Sequence, residues 1–330
     1  MFDWINILFT DCLNWIYSWI GNYGWAVVIF TLIVRLLVLP LDIKSRKSMR
    51  AMNRVQPKMQ ALQKKYANDK EKLNAKMMEL YKKEKVSPMA GCLPMLLQWP
   101  VLIFMFTAMR VVANEHTIQM ILDLKNGLAP SFESWLWIKN VFLPDSFGSS
   151  MLPAVGSQLR EISQVGYSSI LNAENIAAAR EFLSSSQYAA IAAQYGANAF
   201  TSIQLNFFFF QPVLTLPNSV ASLFQYANGL FVLPVLAAAS QFLMTRIMTG
   251  TQKKTPEQKL AEQENPAANA MNSGMMKWFF PLFSLWICAS SNSAFSIYWM
   301  AVNVITIVQS LILNYIFDRQ EAAQEALKAD

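Results

Sequence analysis

Histidine occurs once in 330 residues, cysteine three times, and charged residues make up only 15% of the chain. Each scarcity removes a class of chemistry. His116 has no second histidine to complete a nucleophile relay, no ligand set lies near it, and it reads as an ordinary loop residue. Cys12, Cys92 and Cys288 lack paired spacing, which argues against a disulfide framework and against a zinc site. Neither a Gly-Lys-Ser/Thr phosphate loop nor a His-Glu-x-x-His pair occurs. The central portions of the long apolar runs contain no Asp or Glu, so the paired carboxylates of an intramembrane protease are missing there. The expectation is a protein that is not an enzyme, with no catalytic residue, cofactor or metal.

What the chain does have is apolar residues, at 54%. A soluble domain carries about 45–50% apolar and about 25% charged residues. Here the apolar residues are gathered into long blocks and the charges into a few segments between them, the layout of a chain solvated by lipid. A hydrocarbon core needs roughly 20 helical residues to cross. Five segments meet that need, at 23–41, 91–112, 229–248, 276–293 and 295–317, and the last two, parted only by Ser291-Asn292-Ser293, read as a tight hairpin.

Lys and Arg set the orientation of such a chain. The 42–90 segment holds most of them, at positions such as Lys44, Arg50, Arg54, Lys76 and Lys83, and no aromatic-plus-basic nucleic-acid motif accompanies it. It therefore reads as cytoplasmic. Residues 1–22 contain no basic residue and belong outside, as does the slightly acidic 113–228 segment. The 249–275 loop, with Lys253, Lys254 and Lys259, returns to the cytoplasm, and so does the 318–330 tail. The expected fold is an all-α integral membrane protein of the cell membrane with five transmembrane helices, N-out and C-in.

Three segments outside the spans have patterns of their own. In 1–22, Trp4, Ile7, Leu8, Trp15, Ile16 and Trp19 recur at near-helical spacing around Asp3 and Asp11, which suggests an amphipathic helix in the membrane interface. In 42–90, Met52, Val55, Met59, Leu62 and Tyr66 follow the 3,4 spacing of a coiled-coil seam, continued by Leu73, Met77 and Leu80. That predicts a cytoplasmic antiparallel helical hairpin, kinked or broken at Pro57. The 113–228 stretch is too long for a connector. Trp135, Trp137, a helix near 173–195 and the run Phe207–Phe210 make it an extracytoplasmic insertion packed on the membrane surface.

Within the spans Arg35 stands out, flanked on both sides by apolar residues. A charge at the centre of a lone transmembrane helix costs at least ~2.5–3.5 kcal/mol, and arginine cannot shed its proton to escape. Its side chain could snorkel to the cytoplasmic headgroups. Five apolar positions lie between it and that interface, about 8–9 Å of helix. The alternative is a wet cavity. The other spans offer uncharged polar groups at similar depth: Gln98, Gln241, Thr245, Asn303 and Thr306. Ordinary interhelical packing would explain each singly. Together with Arg35 they suggest a hydrophilic groove able to hold polar or acidic segments of another chain.

Several blocks stand out as motifs: Asn22-Tyr23-Gly24-Trp25, Arg35, Leu39-Pro40, the Lys44–Met52 run, Gln56-Pro57-Lys58-Met59 and Leu62 to Tyr66. Pro88-Met89-Ala90-Gly91-Cys92-Leu93-Pro94 with Gln98 and Pro100 is the most specific piece, and Phe295 to Trp299 fits as well. In these blocks the sequence resembles the YidC family of membrane protein insertases. The resemblance implies a groove open to cytoplasm and lipid but closed outside, with Arg35 in it and Trp299 lining it. Gln241 lies near a groove position known in some members, although that position aligns more naturally with Met244. The resemblance further implies nascent membrane proteins as substrates, the ribosome, the Sec translocon and membrane lipids as partners, and no nucleotide and no specific nucleic acid. Ser87 departs from the more usual Asn. The short, nearly neutral tail disfavours strong ribosome tethering, and the layout is nearest to Gram-positive or clostridial members. A transporter would also place an arginine in a polar cavity, but it should show paired Gly/Pro-interrupted helices, and none is seen. A folding scaffold for other membrane proteins is the closer rival.

Overall fold

A computed structural model describes residues 3–66, 68–84, 86, 93–154, 167–204, 213–250 and 274–329. The chain is mostly helical and divides into two compact units. Met1–Thr31, Ile103–Ala239 and Leu282–Val302 form the first, and Leu32–Leu102, Ser240–Pro281 and Asn303–Asp330 the second.

Ten α-helices lie among the described residues: α1 Asp3–Ile20, α2 Tyr23–Lys65, α3 Lys70–Lys83, α4 Leu93–Lys125, α5 Ala173–Leu183, α6 Ser186–Gln194, α7 Val220–Tyr226, α8 Val232–Gly250, α9 Gly274–Ser290 and α10 Ser293–Ala329. Three contain stretches long and apolar enough to cross a membrane: Tyr23–Met52, Trp99–Lys125 and Ser293–Ala323. Val232–Ile247 and Trp278–Ser290 are shorter apolar helices. Several helices run on past the expected ends of their spans. The expected tail 318–330 continues α10 as far as Ala329, and α2, expected to be kinked or broken at Pro57, runs on without ending there. The Pro88–Cys92 motif, the run Phe207–Phe210 and nearly all of the 249–275 loop lie outside the described residues.

In the first unit a short irregular segment, 133–145, ties the helix ends together. α2 begins at the motif Asn22-Tyr23-Gly24-Trp25, and each of these four residues has a job. Asn22 caps the helix, its Oδ1 accepting from Trp25 N at 3.2 Å, while its Nδ2 donates to the Ser134 carbonyl at 2.8 Å. Tyr23 is fully buried. Gly24 leaves room for the Trp135 ring, which a Cβ would overlap, and Trp25 meets the same ring edge-on at 5.6 Å. From α1, the Tyr17 hydroxyl donates to Glu133. Further along, the Asp145 carboxylate accepts from Phe231 N at 3.0 Å and Leu233 N at 2.6 Å. It thereby caps α8 from outside the helix, where unpaired N–H groups favour an anion. α10 starts in the same way. Ser293 N and Ala294 N donate to the carbonyls of Leu143 and Val141, each at 2.9 Å, and Asn292 Oδ1 accepts from Phe295 N at 2.9 Å.

The core of this unit is built on α4 beyond Val111. Ile118, Ile121 and Leu124 pack with Leu171, Ile176, Phe182, Leu183 and Tyr188. The expected single helix near 173–195 is two helices, α5 and α6, because Ser184 and Ser185 end one and cap the next; Ser185 Oγ accepts from Tyr188 N at 3.1 Å. The all-α expectation also needs correcting. Strands β1 Phe200–Gln204 and β2 Val213–Pro217 pair antiparallel, with Ser202 opposite Thr215. Thr201, Ile203, Val213 and Thr215 are β-branched, which suits a pleated ribbon better than a helix.

In the second unit α2 and α3 carry the predicted seam. Val55 is buried and Met52, Met59, Leu62, Tyr66, Leu73, Met77 and Leu80 are half-buried, while the intervening Lys70, Lys72, Lys76, Lys82 and Lys83 are exposed. Asp69 caps α3 by accepting from Lys72 N at 3.0 Å, and Lys58 reaches Glu84 at 2.6 Å. A helix of 14 residues is marginal alone, and the stripe gives α3 its half-buried face.

Candidate functional site

The second unit contains Arg35, Gln241, Thr245 and Asn303, together with the helical backbone of Gln98, whose side chain lies outside the described residues. Over 32–41 of α2 the exposed large side chains are Leu32, Ile33, Leu36, Leu37 and Leu41. Arg35 is half-buried and lies on the other face, which continues through Asp42, Ser45 and Arg46. Ser45 is buried, and Arg46 Nε donates to Asp42 Oδ2 at 2.9 Å. So over 32–41 α2 turns its aliphatic side outward, with Arg35 set away from it.

α10 repeats that arrangement over 303–312, where the exposed residues are Val304, Val308, Leu311 and Ile312 and Asn303, Thr306 and Ser310 are buried. On α8 Leu243 and Arg246 are exposed, while Ser240, Gln241 and Thr245 are half-buried beside Phe242 and Met244. The polar face of α10 meets α8 where Asn303 Nδ2 donates to Ser240 Oγ at 3.1 Å. Thr245 folds its hydroxyl back onto the Gln241 carbonyl at 2.8 Å. An apolar exterior with a polar interior reverses the pattern of a water-soluble bundle and is what lipid solvation requires.

Trp299 falls in the first unit, near Phe295 at 5.7 Å and Phe283 at 6.5 Å between ring centroids. Its indole Nε1 is buried and has no hydrogen-bond partner among the described residues.

The family model described as 60Kd inner membrane protein matches residues 15–321. The chain belongs to this family. It is a multi-pass membrane protein, as its membrane-length helices require. Curated relatives agree, each described as "Membrane protein insertase YidC". A Fusobacterium nucleatum protein is 36% identical over 152 residues, 46% of this chain and 65% of that protein. One from Wolinella succinogenes is 40% identical over 136 residues, 41% of this chain and 23% of its own length. One from Burkholderia multivorans is 44% identical over 109 residues, 32% of this chain and 20% of its own length. The matched region thus covers less than two-thirds of each of these relatives, and about a fifth to a quarter of the second and third.

Sequence reasoning missed one cluster in this family member. Arg50 Nη1 donates to Asp318 Oδ1 at 2.8 Å and to Glu321 Oε1 at 3.3 Å, while Nη2 donates to Asn314 Oδ1 at 3.1 Å. The guanidinium lies over the Phe317 ring at 5.0 Å, and Arg54 Nη2 reaches Glu321 at 2.7 Å. The partners are separated by more than 260 residues. The only sequence signal is spacing: Arg50 and Arg54 at i,i+4 match Asp318 and Glu321 at i,i+3.

Proposed function

We propose that this chain is a membrane protein insertase. In this reading it receives hydrophilic segments of nascent membrane proteins in a cytoplasm-open groove and releases their apolar helices into lipid. The observation that carries the reading is the reversed polarity of α2 and α10. Over 32–41 and 303–312 each turns aliphatic residues outward and sets polar residues away from that face, the α2 set including Arg35, and Asn303 joins the α10 set to Ser240 of α8. The groove is proposed to be lined by Arg35, Gln98, Gln241, Thr245 and Asn303. Trp299 is a separate contact for the client's apolar helix.

Five crossings, N-out and C-in, put the basic α2–α3 hairpin on the cytoplasmic side and α5–α7 outside. α1 suits the outer interface, because Trp4, Ile7, Leu8, Trp15 and Trp19 are exposed while Thr10, Leu13 and Ile16 are buried. Arg35 attracts the acidic, hydrophilic tail of a client. The client's apolar helix then partitions into lipid, and burial of that helix supplies the driving force without nucleotide hydrolysis. Nascent membrane proteins and membrane lipids are the partners, with the ribosome and the Sec translocon as sources of clients.

Purified protein in liposomes tests this directly. It should insert a small single-span client with an acidic N-terminal tail in the absence of ATP. Arg35→Ala should slow insertion about tenfold, equivalent to about 1.4 kcal/mol. Arg35→Lys should retain more activity than Arg35→Ala, because the charge matters more than the planar fork. Equal rates in all three proteins would remove the electrostatic role, and solute flux without insertion would identify a transporter instead.

A further inference from the structure

We infer that Arg50 and Arg54 form a second site for acidic client segments, one that the chain's own Asp318 and Glu321 occupy at rest. This rests on the insertase reading and extends it to a contact met before the groove. The geometry is that of a carboxylate receptor. Arg50 is held by the face of Phe317 and the Asn314 side chain, so its guanidinium is oriented whatever anion it binds. Lys47 also lies over the Phe317 ring, at 5.8 Å, which adds a second positive charge at the same aromatic ring. Arg54 adds a third cation one helical turn along α2 and shares Glu321 with Arg50.

The resident anions are well placed but weakly held. The Arg50 side chain is 24% exposed, whereas Asp318 is 71% exposed. An ion pair with one partner in water contributes little and is screened by salt. Glu321, at 35% exposure, is the more covered of the two, so Asp318 is the anion that leaves most readily. An acidic segment carrying several carboxylates can therefore replace them at low cost. The arginines gain an equivalent partner, and the displaced carboxylates gain water. Until then the internal pair keeps the cations from binding polyanions at random.

Binding of a fluorescein-labelled hexa-aspartate peptide to the full chain in phosphatidylcholine nanodiscs tests this, with hexa-lysine as the control peptide. Asp318→Asn with Glu321→Gln should tighten hexa-aspartate binding about threefold or more at low ionic strength, with the gain fading as salt shortens the Debye length. Adding Arg50→Gln and Arg54→Gln should abolish the gain. Glu71→Gln with Glu79→Gln removes the same two charges from the exposed face of α3, and should give a much smaller change. Three outcomes overturn the inference: unchanged or weaker binding after neutralising Asp318 and Glu321, an equal gain from the α3 pair, or a gain that survives loss of both arginines. The readout needs no insertion. A binding response without insertion in liposomes would leave this site standing and remove the insertase reading alone.

Discussion

Asp145 is fully buried, and its oxygens are used by Phe231 N, Leu233 N and the Trp137 indole at 3.3 Å. Hydrogen bonds to a charged acceptor contribute about 1.5–3 kcal/mol each, and a buried donor left without a partner costs about 1–3 kcal/mol. Asp145→Ala should therefore destabilise the first unit by about 3 kcal/mol, while Asp145→Asn, which keeps one acceptor, should lose roughly half of that. Thermal melts of the detergent-solubilised protein, followed by tryptophan fluorescence, check the order. A loss below about 0.5 kcal/mol for the alanine variant would show that α8 needs no cap. Tyr17 makes a pH prediction. Burial, and then the Glu133 carboxylate that accepts its proton, push the phenol up to about 12. In the unfolded chain it titrates near 10. Below about pH 10 both states keep the proton and the bond contributes fully; from about 10 to 12 only the unfolded state loses it, so stability falls with rising pH. Wild type should lose more stability than Tyr17→Phe across that window, and parallel curves would show that the bond contributes nothing.

The basic pair α2–α3 is legible in the amino-acid pattern alone, because a 3,4-spaced stripe survives on a lysine-rich helix only if something covers it. Leu73 and Met77 are half-buried while Lys72 and Lys76 beside them are exposed, as the stripe demands. Met77→Asp should thus undock α3. Hydrogen exchange over 70–83 should rise toward that of a free peptide, with exchange over α5 and α6 unchanged; persistent protection of α3 would mean that its lysine face, and not the stripe, holds it. Other elements are hidden for identifiable reasons. The break between α5 and α6 turns on Ser184 and Ser185, and serine, although favoured at caps, also occurs inside helices, so the pair alone does not mark a boundary. The 133–145 segment has no periodicity. Its role comes from backbone carbonyls such as Leu143 and Val141 capping distant helices, which no side-chain pattern encodes. The polar residues of the site are readable one at a time, whereas the Asn303–Ser240 bond and the Arg50–Asp318 pair depend on chain reversals far apart in sequence.

For the molecule as a whole, charge and apolar surface make a joint prediction. The apolar helices expose many large aliphatic and aromatic side chains, such as Leu37, Trp286 and Ile312 at 74%, 65% and 54% exposure. So much apolar area cannot face water. The exposed lysines of α3 and the capped helices α5 and α6 are then predicted beyond the bilayer, and the excess of Lys and Arg over 42–90 predicts α3 in the cytoplasm and α5–α6 on the opposite side. In a background with Cys12, Cys92 and Cys288 changed to serine, two exposed positions report on the two sides: Lys76→Cys on α3 and Ser186→Cys on α6. A membrane-impermeant maleimide added to intact cells or spheroplasts should label position 186 and leave position 76 unlabelled until the membrane is opened. Reversed labelling would invert the topology and place the basic hairpin where no nascent chain emerges. Labelling of both positions from outside would mean an even number of crossings between them, leaving the membrane to be crossed differently from the odd count on which the insertase reading depends.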